Sequence, residues 1–412
     1  MIFWATRFLL AYATFSLIYS AVWFFAQMVL KKALNIRPSE ARKFSKEDLT
    51  ASQNSFLSVI VPCRNEEKRL LPLLESLEKQ SHPTQCWEVI FVDDESEDNT
   101  AKFIQSWIDS QEHIQSKLIS LNNKNEHKSA SKKAALTAGI SASQYPYILS
   151  TDADCEPNAG WLQSIADHIT NDHASQAMDL LIGPVGYQSS GSLMHELQRA
   201  ESAGLVALGL AAAEIGQPFL ANGANLCFRR SAFEAIGGYG SHKHLASGDD
   251  VFLLKSFQKA GCRIATNLRP EAVVITAPPD NWAAYWQQNV RWLSKSRVPN
   301  GALQAVLQVL GFVVWAGWVP AVVVLLLVIS FSAQSDSTFN STLMYVYTAI
   351  AVVLRMLADL GLLLPMYRLF GFRFRFWPWL LSQPVYSLWV LALGFRLFLG
   401  SKKYEWKGRR TQ

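Results

Sequence analysis

Tyr145-Pro146-Tyr147-Ile148-Leu149-Ser150-Thr151-Asp152-Ala153-Asp154 joins a short apolar run to two carboxylates one residue apart. The run has strand length, and a strand buried on both faces reads as continuous apolar sequence. Two acids at its end can reach one divalent cation. They can equally cap a helix, and Pro157 marks a helix start. The surrounding sequence has to decide.

Upstream, Phe56–Pro62 is another apolar run, ending in Val-Pro-Cys-Arg-Asn. Glu66 to Gln80 carries Leu70, Leu73, Leu74 and Leu77 at helical spacing. Trp87–Asp94 holds Val89-Ile90-Phe91-Val92 and ends in Asp93-Asp94. Ala101–Ile108 reads as helix, Lys117–Leu121 as strand and Ser131–Ala142 as helix. The alternation predicts an α/β fold with a mainly parallel sheet. Polar residues gather just past the strand ends: Arg64 and Glu66, Asp93 and Asp94, Asp152 and Asp154. Ligands bind at the carboxyl ends of strands in such sheets. Helix capping explains any one of these groups, but three together less well. No Gly-x-Gly-x-x-Gly or Gly-x-x-x-x-Gly-Lys follows a strand, so neither a dinucleotide fold nor a P-loop is supported.

Two motifs lie downstream. Asp249-Asp250 follows Gly248 and feeds an apolar helix. Acids suit a first helical turn, and a carboxylate there can also serve as a general base. Gln288-Asn289-Val290-Arg291-Trp292 follows Trp282, Tyr285 and Trp286. Gln288, Arg291 and Trp292 share one helical face. The aromatic residues suit a helix at a membrane surface.

Half of the 412 residues are hydrophobic, and they concentrate at both ends. Phe8–Leu30 is long enough to span a membrane. No small-residue cleavage site follows it, which disfavours a signal peptide. Lys31, Lys32, Arg37, Arg42 and Lys43 come next and place the middle of the chain in the cytoplasm. Three more apolar runs cover Leu303–Phe331, Leu343–Met366 and Phe376–Leu399. The link Ser332–Ser341 carries no Lys or Arg and is expected outside; the link with Arg368, Arg373 and Arg375 is expected inside. A spanning fourth run would put Lys402, Lys403, Lys407, Arg409 and Arg410 outside, against the charge rule. Pro378 and Pro384 would break a straight helix and permit a re-entrant or interfacial segment instead. Arg355 and Asp359 lie one turn apart within an apolar run, either as a self-neutralising pair or as a lipid headgroup site. The expected division is an anchor over 1–36, a cytoplasmic domain over 37–300 and a C-terminal membrane region over 301–412. The membrane is expected to be a bacterial-type inner or plasma membrane. A net charge of +5 without nucleic-acid motifs points away from nucleic acid. Cys63, Cys86, Cys155, Cys227 and Cys262 form no Cys-x-x-Cys pair, which disfavours disulfides or zinc and fits a reducing compartment.

The ordered set Asp93-Asp94, Asp152-Ala153-Asp154, Gly248-Asp249-Asp250 and Gln288-x-x-Arg291-Trp292 resembles family 2 glycosyltransferases of the inverting GT-A type. It is similar to their membrane branch, which includes ceramide glucosyltransferases and the poly-N-acetylglucosamine, hyaluronan and cellulose synthases. The resemblance covers roughly Ser55 to Ser296. It implies a GT-A domain flanked by transmembrane helices and a nucleotide-sugar donor, with a UDP-sugar favoured. Pro62, Arg64 and Glu66 match the segment lining the base, and Asp93 and Asp94 the pair near uracil and ribose. Lys132, in Ser-Lys-Lys-Ala-Ala-Leu, matches a position near the nucleotide. Asp154 matches the main ligand of Mg2+ or Mn2+, and Asp152 a ribose or metal contact. Asn222, Asn225 and Arg229 resemble an acceptor-side segment. Asp250 matches the catalytic base, with Asp249 as its alternative. Gln288, Arg291 and Trp292 match a motif holding acceptor and diphosphate. Glu95 stands where Gly is usual, and Gly248-Asp249 where Glu-Asp is common.

The implied acceptor is a lipid or lipid-linked group at the membrane, or else a growing glycan threaded through the spans. Three or four spans provide little material for a channel, which favours lipid; a homo-oligomer or an accessory subunit would be needed to supply more. An inactive transferase-like scaffold is a remote alternative.

Overall fold

A computed structural model of the chain describes residues 2–36, 56–121, 132–171, 178–240, 248–296, 301–332, 339–398, 404–406 and 409–411. The expectations for Arg37, Arg42, Lys43, Ser131, Leu399, Lys402, Lys403, Lys407 and most of the link Ser332–Ser341 lie outside the described residues.

The chain opens with α1 (Ile2–Ile36). It then alternates through β1 (Leu57–Cys63), α2 (Leu71–Glu78), β2 (Trp87–Asp93), α3 (Thr100–Ser110), β3 (Gln115–Ser120), α4 (Lys132–Ala142) and β4 (Tyr147–Ser150). Next come β5 (Cys155–Pro157), α5 (Trp161–Asn171), β6 (Leu180–Ile182), β7 (Val185–Tyr187) and the long α6 (Leu193–Glu214). The central part ends with β8 (Leu226–Arg229), α7 (Arg230–Ala235), α8 (Asp249–Lys259), β9 (Ile264–Thr266), β10 (Val274–Thr276) and α9 (Trp282–Ser296). Three long helices follow, α10 (Ala302–Ser332), α11 (Phe339–Leu369) and α12 (Phe376–Phe398), then the hairpin β11 (Tyr404–Trp406) and β12 (Arg409–Thr411).

The main sheet runs β3-β2-β1-β4-β8-β6-β9. The first four strands are parallel, and β8 lies antiparallel between β4 and β6. Strand alternation sorts the side chains onto two buried faces. Leu57, Val59 and Val61 pack with α2, α3 and α5, including Leu73, Leu74 and Trp161. Ile60, Ile90, Val92 and Ile148 face α4 and a core that reaches Tyr19, Trp23 and Leu30 of α1. Both faces are covered, so the strands read as unbroken apolar runs. A second sheet, β5-β10-β7, lies beside the end of β4.

Two boundaries differ from expectation. The helix expected from Glu66 begins at Leu71. Pro72 suits a first helical turn, where its missing N–H costs nothing, and the preceding turn leaves Glu66 at the strand end. Pro157 does not start a helix. It ends β5, which pairs antiparallel with β10, and α5 begins at Trp161.

Among the described residues, three helices are long and apolar enough to cross a membrane: Trp4–Asn35, Ala302–Ser330 and Thr342–Leu369. At 1.5 Å per residue, the 35 residues of α1 extend roughly 52 Å, more than the roughly 30 Å of bilayer hydrocarbon. The surplus accounts for the second half of α1 packing into the core of the sheet domain. Arg355 is fully buried and forms a 3.1 Å ion pair with Asp359. Tyr19 donates to Asp359 at 2.6 Å, and the Arg355 guanidinium lies 3.8 Å from the centre of the Trp315 ring. This is the self-neutralising reading of the pair.

Pro378 and Pro384 do not break α12, which is continuous over Phe376–Phe398. Pro378 occupies the first turn, and at Pro384 only one backbone donor is lost. Even so, α12 does not carry the chain away from the sheet domain. Near its start Arg375 packs over Gly191, and beyond its end β11 lies against α9. Along its length, Trp389 stacks on Tyr285 of α9 with ring centres 4.8 Å apart.

Glu201 of α6 ties these parts together, accepting hydrogen bonds from Tyr285 of α9 and from Tyr386 of α12. Burial pushes its carboxyl up to about 7, against the two tyrosine hydroxyls, which lower it. A raised acid favours the folded state fully below its unfolded value, near 4.5, and that contribution is lost as pH rises through about 7. The stability of the purified chain should therefore fall between these limits by up to about 2 kcal/mol. Glu201→Gln should remove this part of the pH profile in thermal unfolding.

Candidate active site at the strand ends

The parallel register sets the site. Cys63 lies opposite Asp93, and β4 ends at Ser150, so β1, β2 and β4 finish side by side. Just past β1, Arg64 Nη1 donates to the Asp94 carbonyl at 2.6 Å, and the Asp94 N–H donates to the Cys63 carbonyl at 2.8 Å. Asp93 is 6 % exposed, and its Oδ1 has no hydrogen-bond partner among the described residues. Its Oδ2 accepts from the Ser96 N–H at 3.4 Å. Glu95 between them has φ +57°. A left-handed conformation disfavours side chains by about 1 kcal/mol, which explains why glycine is the easier residue there. Pro62 remains within β1, opposite Val92.

Past β4 the two carboxylates meet two cations. Lys132 Nζ lies 2.6 Å from Asp152 Oδ1 and 3.1 Å from Asp249 Oδ2. Arg69 bridges Asp154 at 3.1 Å and Glu66 at 2.8 Å. Burial pulls the Lys132 ammonium down, but Asp152, Asp249 and Asp250 together hold it well above the ordinary lysine value. Asp249 and Asp250 form the first turn of α8 after Gly248, whose φ is +85°. Asp249 points at Lys132, whereas Asp250 Oδ1 accepts from the Val251 N–H at 2.7 Å and stays more exposed. Gly223 lies against the same group. A Cβ there would sit 2.9 Å from Asp249 Oδ2 and 3.3 Å from Lys132 Nζ. The Gly223 carbonyl accepts from Ser150 Oγ at 2.8 Å, which fixes the loop to β4.

On the other side, Thr276 Oγ1 of β10 donates to the Asp154 carbonyl at 3.3 Å. Thr276 pairs with Tyr187 of β7, and Tyr187 OH donates to Gln288 Oε1 at 3.3 Å. Burial pushes the Tyr187 hydroxyl up; the Gln288 hydrogen bond and the Arg291 charge oppose this, while Glu201 and Asp154 add to it. Tyr187 thus stands between α9 and the strand ends. Trp282, Tyr285 and Trp286 surround Trp389 of α12. Trp292 is partly buried.

Of the expected acceptor-side residues, Arg229 lies away from this group and Asn225 has its polar atoms engaged. Arg229 pairs with Tyr147 at the start of β4, three residues and roughly 10 Å from the strand end, and forms an ion pair with Asp179. Asn225 is buried and committed to structure: its side chain accepts from Trp161 Nε1 at 3.0 Å and donates to the carbonyls of Pro184 and Ala272 at 3.0 and 2.8 Å. Asn222 Oδ1 accepts from the Ala224 N–H at 3.0 Å and shapes the Gly223 turn. Arg69, Gly223 and Tyr187 carry no motif of their own and were not legible as site residues.

Among the described residues, no three His, Cys, Asp or Glu side chains cluster as a ready metal site. Asp152 and Asp154 provide hard oxygen donors on one short turn. That suits an ion completed by phosphate oxygens, since Mg2+ is commonly held by one or two carboxylates plus substrate phosphates.

Comparison with known proteins bears on this arrangement. A glycosyltransferase of Haloferax volcanii, AglE, is 26% identical over 214 residues, covering 50% of this chain and 62% of that protein. A dolichyl-phosphate beta-glucosyltransferase of Trichomonas vaginalis is 32% identical over 123 residues, 28% of this chain and 34% of that protein. A poly-beta-1,6-N-acetyl-D-glucosamine synthase of Staphylococcus aureus is 22% identical over 290 residues, 69% of this chain and 64% of that protein. The chain therefore spans less than two thirds of each of these relatives. The glycosyl transferase family 2 domain matches residues 58–236, a stretch that holds Asp93, Asp94, Lys132, Asp152, Asp154 and Gly223 and stops before Asp249. The matched stretch carries its strand-end acids on a mainly parallel α/β sheet, an arrangement typical of GT-A folds.

Proposed function

We propose that the chain transfers a sugar from a nucleotide-diphosphate donor, with a UDP-sugar favoured, to a lipid or lipid-linked acceptor at the cytoplasmic face of its membrane. The observation that carries this is the Lys132 bridge, which draws the acids after β4 and the acids of α8 into one group. The family of the domain and the similarity to a dolichyl-phosphate glucosyltransferase support the reading.

The family resemblance and the positions of the residues support the following roles. Arg64, Glu66, Asp93 and Asp94 form the nucleoside end, where the unpartnered Asp93 Oδ1 accepts an N–H or O–H from the ligand. Asp154, with Asp152, would hold Mg2+ or Mn2+, and such an ion would neutralise the charge of the leaving diphosphate. Arg69 and Lys132 neutralise these acids and are cations that would also suit the donor phosphates. Asp250 takes the proton of the acceptor hydroxyl. The acceptor oxygen bonds to the anomeric carbon as the bond from that carbon to the diphosphate oxygen breaks, and the configuration inverts. Arg291 stabilises the departing charge from α9, with Gln288 held by Tyr187. Trp292 and Asn222 border the acceptor side. Asp249, paired with Lys132, positions that lysine rather than acting as base.

Asp250→Asn should lower transfer by about a thousandfold and leave donor binding within a few-fold of wild type. Normal transfer by this variant would remove Asp250 from the role of base. With radiolabelled donor and membranes, the product should extract into organic solvent as glycolipid. Label retained as an aqueous polymer would favour a processive polysaccharide synthase instead.

A further inference from the structure

A cavity of about 100 Å3 lies where α6 meets α1, α10, α11 and α12. That exceeds the roughly 10–15 Å3 needed for one water. Tyr19, Trp315 and Trp379 contribute aromatic walls, and Glu201, Asp359 and Gln383 contribute polar ones. The three helices long enough to span a membrane all line it, alongside α6 of the sheet domain. It therefore sits at the junction of membrane helices and sheet domain.

Its polar groups do not balance. Tyr19 donates to Asp359 Oδ1, and Arg355 pairs with Oδ2, which accepts no hydrogen bond among the described residues. Tyr285 and Tyr386 both donate to Glu201. Ser382 Oγ donates to the Trp379 carbonyl at 2.7 Å, and Gln383 Nε2 donates to the same carbonyl at 3.3 Å. The hydroxyls of Tyr19, Tyr386 and Ser382 and the Gln383 amide donor are thus committed within the protein. Gln383 is 2% exposed, and its Oε1 has no partner among the described residues. A buried acceptor left without a donor is unfavourable, because it has lost its hydrogen bonds to water without replacement. Aromatic walls around a surplus acceptor select a ligand that is apolar in body and donates from its polar end.

We infer that this cavity receives the hydroxyl-bearing head of a membrane amphiphile, with a ligand hydroxyl donating to Gln383 Oε1. Glu201 borders the same space and holds Tyr285, one helical turn before Gln288. Occupancy thus bears on the helix that faces the transfer site. The occupant is either the acceptor itself, which rests on the transfer reading above, or a resident lipid that does not react.

The test uses the full chain in detergent, without donor, and a photoactivatable monoacylglycerol with two free hydroxyls. Labelling should map to α6 or α12 and fall at least tenfold when both hydroxyls of the probe are methylated. Gln383→Leu should reduce labelling about tenfold, the loss of one hydrogen bond to a committed acceptor. Gly204→Leu should abolish it by filling the cavity; a Cβ at Gly204 meets only Leu363, at 4.0 Å. Equal labelling by the methylated probe, or undiminished labelling in both variants, overturns the inference. If a variant unfolds, the two-probe comparison on wild type still decides. Adding a panel of UDP- and GDP-sugars separates the sources. A sugar gained by the bound probe marks the acceptor, and an unmodified bound probe marks a resident lipid. Either result supports the cavity as a site, because labelling is scored without transfer.

Discussion

A single ammonium organises the site. Lys132 is held between Asp152 and Asp249, and these belong to parts of the chain almost a hundred residues apart. Asp152 follows β4, and Asp249 opens α8. Four carboxylates crowded at strand ends would repel one another. Lys132 and Arg69 offset that repulsion. Gly223 is the steric counterpart, since any side chain there would strike Asp249. The bridge also separates the two acids of α8, engaging Asp249 and leaving Asp250 toward the open side.

The same economy governs the membrane part. Helices longer than a bilayer place their surplus against the sheet domain, so that Trp23, Leu30 and Ala33 share a core with Ile60 and Ile148. The first helix and the sheet thus share one buried core. The aromatic cluster around Trp389 and the Glu201 hydrogen bonds then couple α9 to α12. Movement of the membrane helices would be felt at Gln288 and Arg291.

The fold was legible wherever burial dictated residue type. The strands β1, β2 and β4 show as apolar runs because both faces of the sheet are covered, and Leu70, Leu73, Leu74 and Leu77 show as a stripe because one face of α2 is buried. The acids at strand ends were legible because charge directly after an apolar strand is costly without a purpose. Arg69, Gly223 and Tyr187 were not, since their importance depends on contacts across 85, 26 and 101 residues of chain, to Asp154, Asp249 and Gln288 respectively. Arg229 and Asn225 looked like site residues because the segment from Asn222 to Arg229 resembles the family's acceptor side. Strand geometry carries Arg229 to the far end of β4, and Asn225 is consumed by holding Trp161, Pro184 and Ala272. The behaviour of α12 was hidden because proline content alone does not say whether neighbours will tolerate the lost backbone donor.

The most direct measurement is calorimetric titration of UDP and of GDP into the purified chain, with Mn2+ or Mg2+ and then with EDTA, repeated on Asp154→Ala. Binding of one nucleotide that needs the metal and weakens at least tenfold in the variant is the expected result. Metal-independent binding of equal strength in both proteins, or no binding of either nucleotide, would contradict a donor site at these strand ends.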